Sequence, residues 1–172
     1  MRVNICFCGS GGQGIITAAS ILCEACIKAG KSVTLVPRYE AAVRGGKSYV
    51  DIVVSDSEIE CACFDRADIV VCLSRKTLAS ARQYFGEGTV LIVDEAIGAA
   101  EGDTPAATVS LPFAEITRDS NCQYPSLVVA AFVAGYAALA GREDFIACLK
   151  EHSAEAARCE LACIDLGFSI RR

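Results

Sequence analysis

Apolar positions along this chain follow two rhythms that alternate. Arg2 to Gly9 (RVNICFCG) is a nearly continuous apolar run of strand length, and it leads straight into a glycine turn. Ile15 to Ala29 (IITAASILCEACIKA) carries apolar residues around most of a helix circumference, which predicts a helix covered on nearly every side. Lys31 to Arg38, Ser48 to Ser55, Ala67 to Ser74 and Thr89 to Asp94 read as further strands, with a helix over Lys76 to Phe85 between the last two. Glu95 to Ala107 is a loop rich in Gly, Ala, Pro and Asp; Thr108 to Leu111 is a short strand; from Ser126 the pattern is helical to the end. Strands alternating with helices, several of them apolar on both faces, predict an α/β fold: three layers, a mainly parallel sheet with helices on both faces, Rossmann-like. At 172 residues, with no internal repeat and no long linker, residues 1–172 read as a single domain.

Ser126 to Ala140 (SLVVAAFVAGYAALA) carries no charge, yet it falls short of the ~20 apolar residues a bilayer requires and is bracketed by Pro125 and Gly141. No membrane span is predicted. Its small residues at fourfold spacing, Ala130, Ala134 and Ala138, admit another backbone closely, as in a core helix or in one buried against a partner subunit.

Charge removes further classes. The net charge is −5, and no Lys/Arg cluster exceeds the pair Arg171–Arg172, so a nucleic-acid partner is not expected. The short apolar stretch at the N-terminus runs into a glycine turn, unlike a secretory signal, so a cytoplasmic location is expected. Eleven cysteines sit mostly inside apolar strings, which suits reduced thiols serving as small hydrophobes. A metal or iron–sulfur site fits them poorly. Cys6/Cys8 and Cys61/Cys63 are one residue apart, Cys23/Cys26 is an isolated pair, and no C-x2-C-x2-C run exists. His152, the one histidine, lies in the charged stretch KEHSAEAAR and reads as a solvated helix residue.

The candidate chemistry lies at the first turn. Gly9, Gly11 and Gly14 satisfy G-x-G-x-x-G between a strand and a helix, where close backbone approach and unpaired helix N–H groups favour an anion. A dinucleotide site also needs an acid about 20 residues on, at the end of the second strand. That region reads Leu35-Val36-Pro37-Arg38-Tyr39, with Glu40 too late, and Arg38 suits a phosphate better than a ribose. The missing acid counts against NAD, and the turn otherwise holds another phosphate or simply packs strand against helix. Arg44-Gly45-Gly46 follows the second strand and should lie near the same sheet edge, as an anion clamp or as a loop with a surface ion pair.

GSGGQGIITAASILCEA, VPRYEAAVRGGKSYVDIVVSD and ADIVVCLS together resemble the gamma subunit of the 2-oxoacid:ferredoxin oxidoreductases, the group acting on pyruvate, 2-oxoglutarate and 2-oxoisovalerate. Gly9, Gly11, Gly12, Gln13 and Gly14 match the family's first motif, Arg44, Gly45 and Gly46 its second, and Asp68 its third; residues 1–95 carry the likeness. The resemblance implies a gamma subunit, inactive alone, that associates with alpha and beta subunits and with a possible delta, ferredoxin-like subunit. The implied complex uses thiamine diphosphate, Mg²⁺, iron–sulfur clusters and coenzyme A, and passes electrons to ferredoxin. Most of those sites would belong to the other subunits, leaving this chain as a docking and closing element with a part in holding coenzyme A. The candidate cofactor-binding or subunit-interface residues are thus Gly9, Ser10, Gly11, Gly12, Gln13, Gly14, Arg38, Arg44, Gly45 and Gly46, with no catalytic residue and no metal ligand assigned. The spelling VPRYEAAVRGG leans toward 2-oxoglutarate or branched-chain substrates. Two other readings stay open: an independent NAD(P)- or FAD-binding oxidoreductase or regulatory domain, and a thiol- or metal-based protein. Without its partners, the chain would pair its docking face with itself as a homodimer.

Overall fold

Each apolar run read as a strand is a strand in the computed structural model, which describes residues 1–39, 46–97, 107–120, 122, 124–149 and 154–170. The elements are β1 (Arg2–Ser10), α1 (Ile15–Lys28), β2 (Ser32–Tyr39), β3 (Lys47–Ser55), β4 (Ile69–Cys72), α2 (Arg75–Ala81), β5 (Val90–Asp94), β6 (Ala107–Leu111), α3 (Phe113–Asp119), α4 (Pro125–Tyr136), α5 (Arg142–Leu149) and α6 (Ala154–Ser169). One six-stranded sheet has the order β2-β3-β1-β4-β5-β6. β1, β4, β5 and β6 pair in parallel, whereas β3 runs antiparallel to both β1 and β2. The link across residues 40–46 is too short for a crossover, which takes a dozen or more residues, so β3 has to fold straight back along β2.

Alternation along the strands divides the core. Ile5, Phe7, Val50, Ile52, Val71 and Ile92 face a large cluster with α1, α4, α5 and α6, while Cys6, Cys8, Val70, Cys72, Leu91 and Val93 face a smaller one with Leu78, Ala81 and Tyr84. Helices therefore cover both faces. β1 leaves through α1 on one face toward β2, and β4 leaves through α2 on the other toward β5. The topological switch point lies between β1 and β4, where α/β sheets open a crevice beyond the carboxyl ends of their strands.

α4 is a core helix, buried at every residue from Ser126 to Ala134. α6 crosses it at Gly167, where an added Cβ would press on Val128 and Ala131. No helix among the described residues is long and apolar enough to cross a membrane. α4 ends with Ala138 at φ 52°, exposed, while the Leu139 N–H reaches back to the Ala134 carbonyl at 2.9 Å. That left-handed position is where glycine usually stands. Ala138→Gly should therefore raise stability by about 0.5–1 kcal/mol, the relief of backbone strain less the extra chain entropy of glycine, read as a higher urea midpoint at unchanged slope.

The cysteines follow the small-hydrophobe reading with one exception. Cys6, Cys8, Cys23, Cys26, Cys72 and Cys148 are buried and form no disulfide, and burial pushes the Cys23 and Cys26 thiols up to about 12. Cys122 and Cys163, however, are joined by a disulfide across 41 residues, which corrects the expectation that all thiols are reduced. The bond ties the segment before α4 to α6, a proximity that only the packing of those two helices creates.

Candidate functional site

The glycine turn forms one wall of the switch-point crevice. Gly9 ends the buried part of β1, where a Cβ would run into Ile15 Cδ1 and stand 2.6 Å from Gln13 Oε1. Gly14 caps α1 at φ 68°, a conformation that L side chains rarely adopt. The Gln13 side chain is a strut: its Oε1 accepts from the Ser10 N–H at 2.6 Å and its Nε2 donates to the Leu73 carbonyl at 2.9 Å. The Ser10 and Ser74 hydroxyls meet at 2.8 Å. Gln13 and the serine pair thus fasten the carboxyl ends of β1 and β4 across the switch point.

The second glycine signal arrives at the same edge. The Gly11 N–H donates to the Gly46 carbonyl at 2.8 Å, so Gly46, just before β3, abuts the first turn. Arg44 and Gly45 lie outside the described residues, as do Glu40 and His152. Arg38 is not brought to the crevice. Its guanidinium pairs with Asp51 at 2.8 Å and lies 5.5 Å from the centres of the Tyr49 and Tyr84 rings, on the α2 side of the sheet. The Tyr84 hydroxyl also donates to Asp51 at 3.3 Å. Burial pushes the Asp51 carboxyl above the usual carboxylate range, against the pull of Arg38.

From the turn a cleft of about 1060 Å³ runs under the amino ends of α1 and α4 to the end of β5. Its lining is chiefly apolar, with polar groups from Gln13, Thr17, Ser74, Arg75, Thr117 and Ser126 and the carboxylates of Asp94 and Glu160. α1 and α4 have no side-chain cap and no acid in the first turn, so their leading N–H groups keep their affinity for an anion. Ser126 Oγ donates to the Gly14 carbonyl at 3.2 Å, fixing the two helix ends side by side. At the far end, the Asp94 carboxylate accepts from the N–H groups of Ala96 at 2.8 Å and Ala114 at 2.6 Å. Its oxygens therefore secure the start of α3.

Arg75 is the residue that sequence reasoning missed. It is exposed, lines the cleft and opens α2, with no ion-pair or hydrogen-bond partner among the described residues. Its signal was its place directly behind the buried strand and Ser74. Below the crevice, on the α2 face, hydrogen bonding between the Cys8 and Cys72 thiols holds Cys72 below the ordinary thiol range, with help from the Thr77 hydroxyl. Cys8 itself is pushed up by that bond and by burial. Both thiols are fully buried and outside the cleft lining. Among the described residues no group of three or more His, Cys, Asp or Glu could hold a metal ion.

These features define an α/β chain with a crevice at a topological switch point, faced by backbone donors and, among the described residues, by Arg75. The family model that describes pyruvate ferredoxin/flavodoxin oxidoreductase matches residues 4–170, and the chain belongs to this family. The chain is 35% identical over 118 residues to the 2-oxoglutarate synthase subunit KorC of Archaeoglobus fulgidus, an alignment covering 66% of this chain and 58% of that one. It thus spans little more than half of that relative. In structure it is similar to the gamma subunit of a keto/oxoacid ferredoxin oxidoreductase from Geobacter sulfurreducens, with a TM-score of 0.78, 23% identity, and 98% and 95% of the two chains covered. It also matches 30% of a chain of the 2-oxoglutarate:ferredoxin oxidoreductase from Magnetococcus marinus, solved with 2-oxoglutarate, coenzyme A and succinyl-CoA bound; the TM-score is 0.75, at 20% identity over 96% of this chain.

Proposed function

We propose that the chain works within a 2-oxoacid:ferredoxin oxidoreductase complex as the subunit that closes over the catalytic subunits and holds the phosphate-bearing part of coenzyme A at the GSGGQG turn. The observation that carries this reading is the cleft itself. It encloses about 1060 Å³, and the uncapped start of α1 and Arg75 stand at its switch-point end. The alpha and beta subunits are the partners, with a delta, ferredoxin-like subunit in some assemblies and ferredoxin as the electron acceptor. Thiamine diphosphate with Mg²⁺ supplies the decarboxylation chemistry and iron–sulfur clusters carry the electrons. We assign both groups to the other subunits; among the described residues of this chain no group of three or more His, Cys, Asp or Glu could hold a metal ion. A 2-oxoglutarate-type substrate is favoured by the kinship with the Archaeoglobus subunit.

The test is anaerobic affinity purification of the tagged chain from its own cells, followed by an assay of dye reduction that depends on 2-oxoacid and coenzyme A. Two larger subunits should co-purify with that activity. Arg44→Ala should then weaken either the coenzyme A half-reaction or assembly. Recovery of the chain alone with tightly bound NAD(P) or FAD would replace this reading with an independent nucleotide-binding protein.

A further inference from the structure

The connection from β3 to β4 lies at the sheet edge opposite the glycine turn, since Ser55 pairs with Arg2 at the start of β1. From Cys61 to Asp65 burial alternates: Cys61, Cys63 and Asp65 are exposed, while Ala62 and Phe64 are half-buried. The Cys61 thiol reaches the Cys63 carbonyl oxygen at 3.7 Å, so the two exposed cysteines stand side by side. The segment is fastened on both flanks. Arg2 Nη2 donates to the Cys61 carbonyl at 2.9 Å, the Phe64 ring packs 5.9 Å from that of Tyr84, and Arg66 Nη1 donates to the carbonyls of Gln83 at 2.9 Å and Phe85 at 2.6 Å. Of the free cysteines, six are buried and Cys159 is half-buried, so Cys61 and Cys63 are the thiols that meet solvent.

Donor number decides which ion such a pair can take. Thiolates are soft ligands that select Cu(I), Zn or iron–sulfur clusters. A tetrahedral Zn²⁺ site needs four ligands, and no third His, Cys, Asp or Glu joins this pair among the described residues. Cu(I), a d10 monocation, is satisfied by two thiolates in a line. We propose that Cys61 and Cys63 form a surface site for a soft monovalent cation of the Cu(I) class. Binding replaces two S–H bonds by two S–Cu bonds and releases two protons, with no change of oxidation state. The bis-thiolate complex carries one negative charge, and the Arg2 guanidinium beside Cys61 offsets it.

The experiment is an anaerobic titration of the reduced full-length chain with Cu(I) buffered by bicinchoninate. The wild type should withdraw one Cu(I) per chain with release of two protons. Changes to groups that merely support a ligand cost about 10–100-fold in metal affinity, so loss of a ligand in Cys61→Ser or Cys63→Ser should cost more than ~100-fold. Cys159→Ser should bind as the wild type does. Both serine substitutions fall on exposed side chains, and unchanged circular dichroism shows that each variant is folded. Retention of wild-type affinity by either single variant, or by the double variant, would overturn the site. So would displacement of the copper by an equimolar amount of Zn²⁺.

Discussion

Gly167→Ala should destabilise the protein by about 3 kcal/mol, the upper end of the usual cost of overpacking. A Cβ at Gly167 would press onto the carbonyl oxygen of Val128 and stand 2.7 Å from Ala131 Cβ and 3.0 Å from Phe132 N. Those atoms are backbone or one bond from it, so no rotamer change relieves the clash and the two helices must separate. Separation strips contacts from α4, which is buried over nine consecutive residues, and it strains the region where Cys122 is bonded to Cys163. A loss of ~3 kcal/mol is a large part of the 5–15 kcal/mol that stabilises an ordinary domain. Gly135→Ala is the matching control. Its Cβ would meet only the Phe168 ring, at 3.2 Å and 3.3 Å, which can turn aside, and alanine suits a helix interior better than glycine by up to about 1 kcal/mol. Urea unfolding should show a sharply lowered midpoint for the first variant and little change for the second. Equal midpoints would mean that α6 does not approach α4 in this way.

The sheet was legible because its strands are short apolar runs with turn residues between them, and the glycine turn because G-x-G-x-x-G stands between an apolar strand and an apolar helix. What local pattern does not encode was harder to read. The reversed direction of β3 follows from a link too short for a crossover, a topological constraint rather than a residue preference. α3 spans only Phe113–Asp119 and begins behind Pro112 with no side-chain cap of its own; its start is secured by Asp94, some twenty residues earlier. Arg38 reads as a phosphate ligand in one dimension, but the β2–β3 register sets Val36 opposite Asp51 and Arg38 opposite Tyr49. Its charge is therefore taken up by a neighbouring strand. Arg75 fell in the gap between the strand ending at Ser74 and the helix read from Lys76, so a cation that lines the cleft was passed over. Its role rests on where two chain segments converge, which no single stretch of sequence displays.

That convergence gives the second large effect. If coenzyme A places a phosphate at the switch-point end of the cleft, Arg75 is the side chain that can meet it without giving up another partner. Hydrogen bonds to charged groups contribute about 1.5–3 kcal/mol, so Arg75→Ala in the assembled enzyme should raise the KM for coenzyme A about ten- to hundredfold. The KM for the 2-oxoacid and the rate at saturating coenzyme A should hardly change, because the lost contact lies away from the reacting carbon. Arg75→Lys keeps the charge but loses the planar fork, so it should recover part of the affinity. Salt should raise the wild-type KM more than that of the alanine variant, since the charge pair is exposed to screening. Subunit assembly, followed by co-purification, should be intact in both variants. An unchanged KM for coenzyme A in Arg75→Ala, beside a raised one in Arg44→Ala, would move the anion site from the β4–α2 junction to the β2–β3 turn. Failure of assembly in Arg75→Ala would instead make this corner of the cleft a contact with the catalytic subunits.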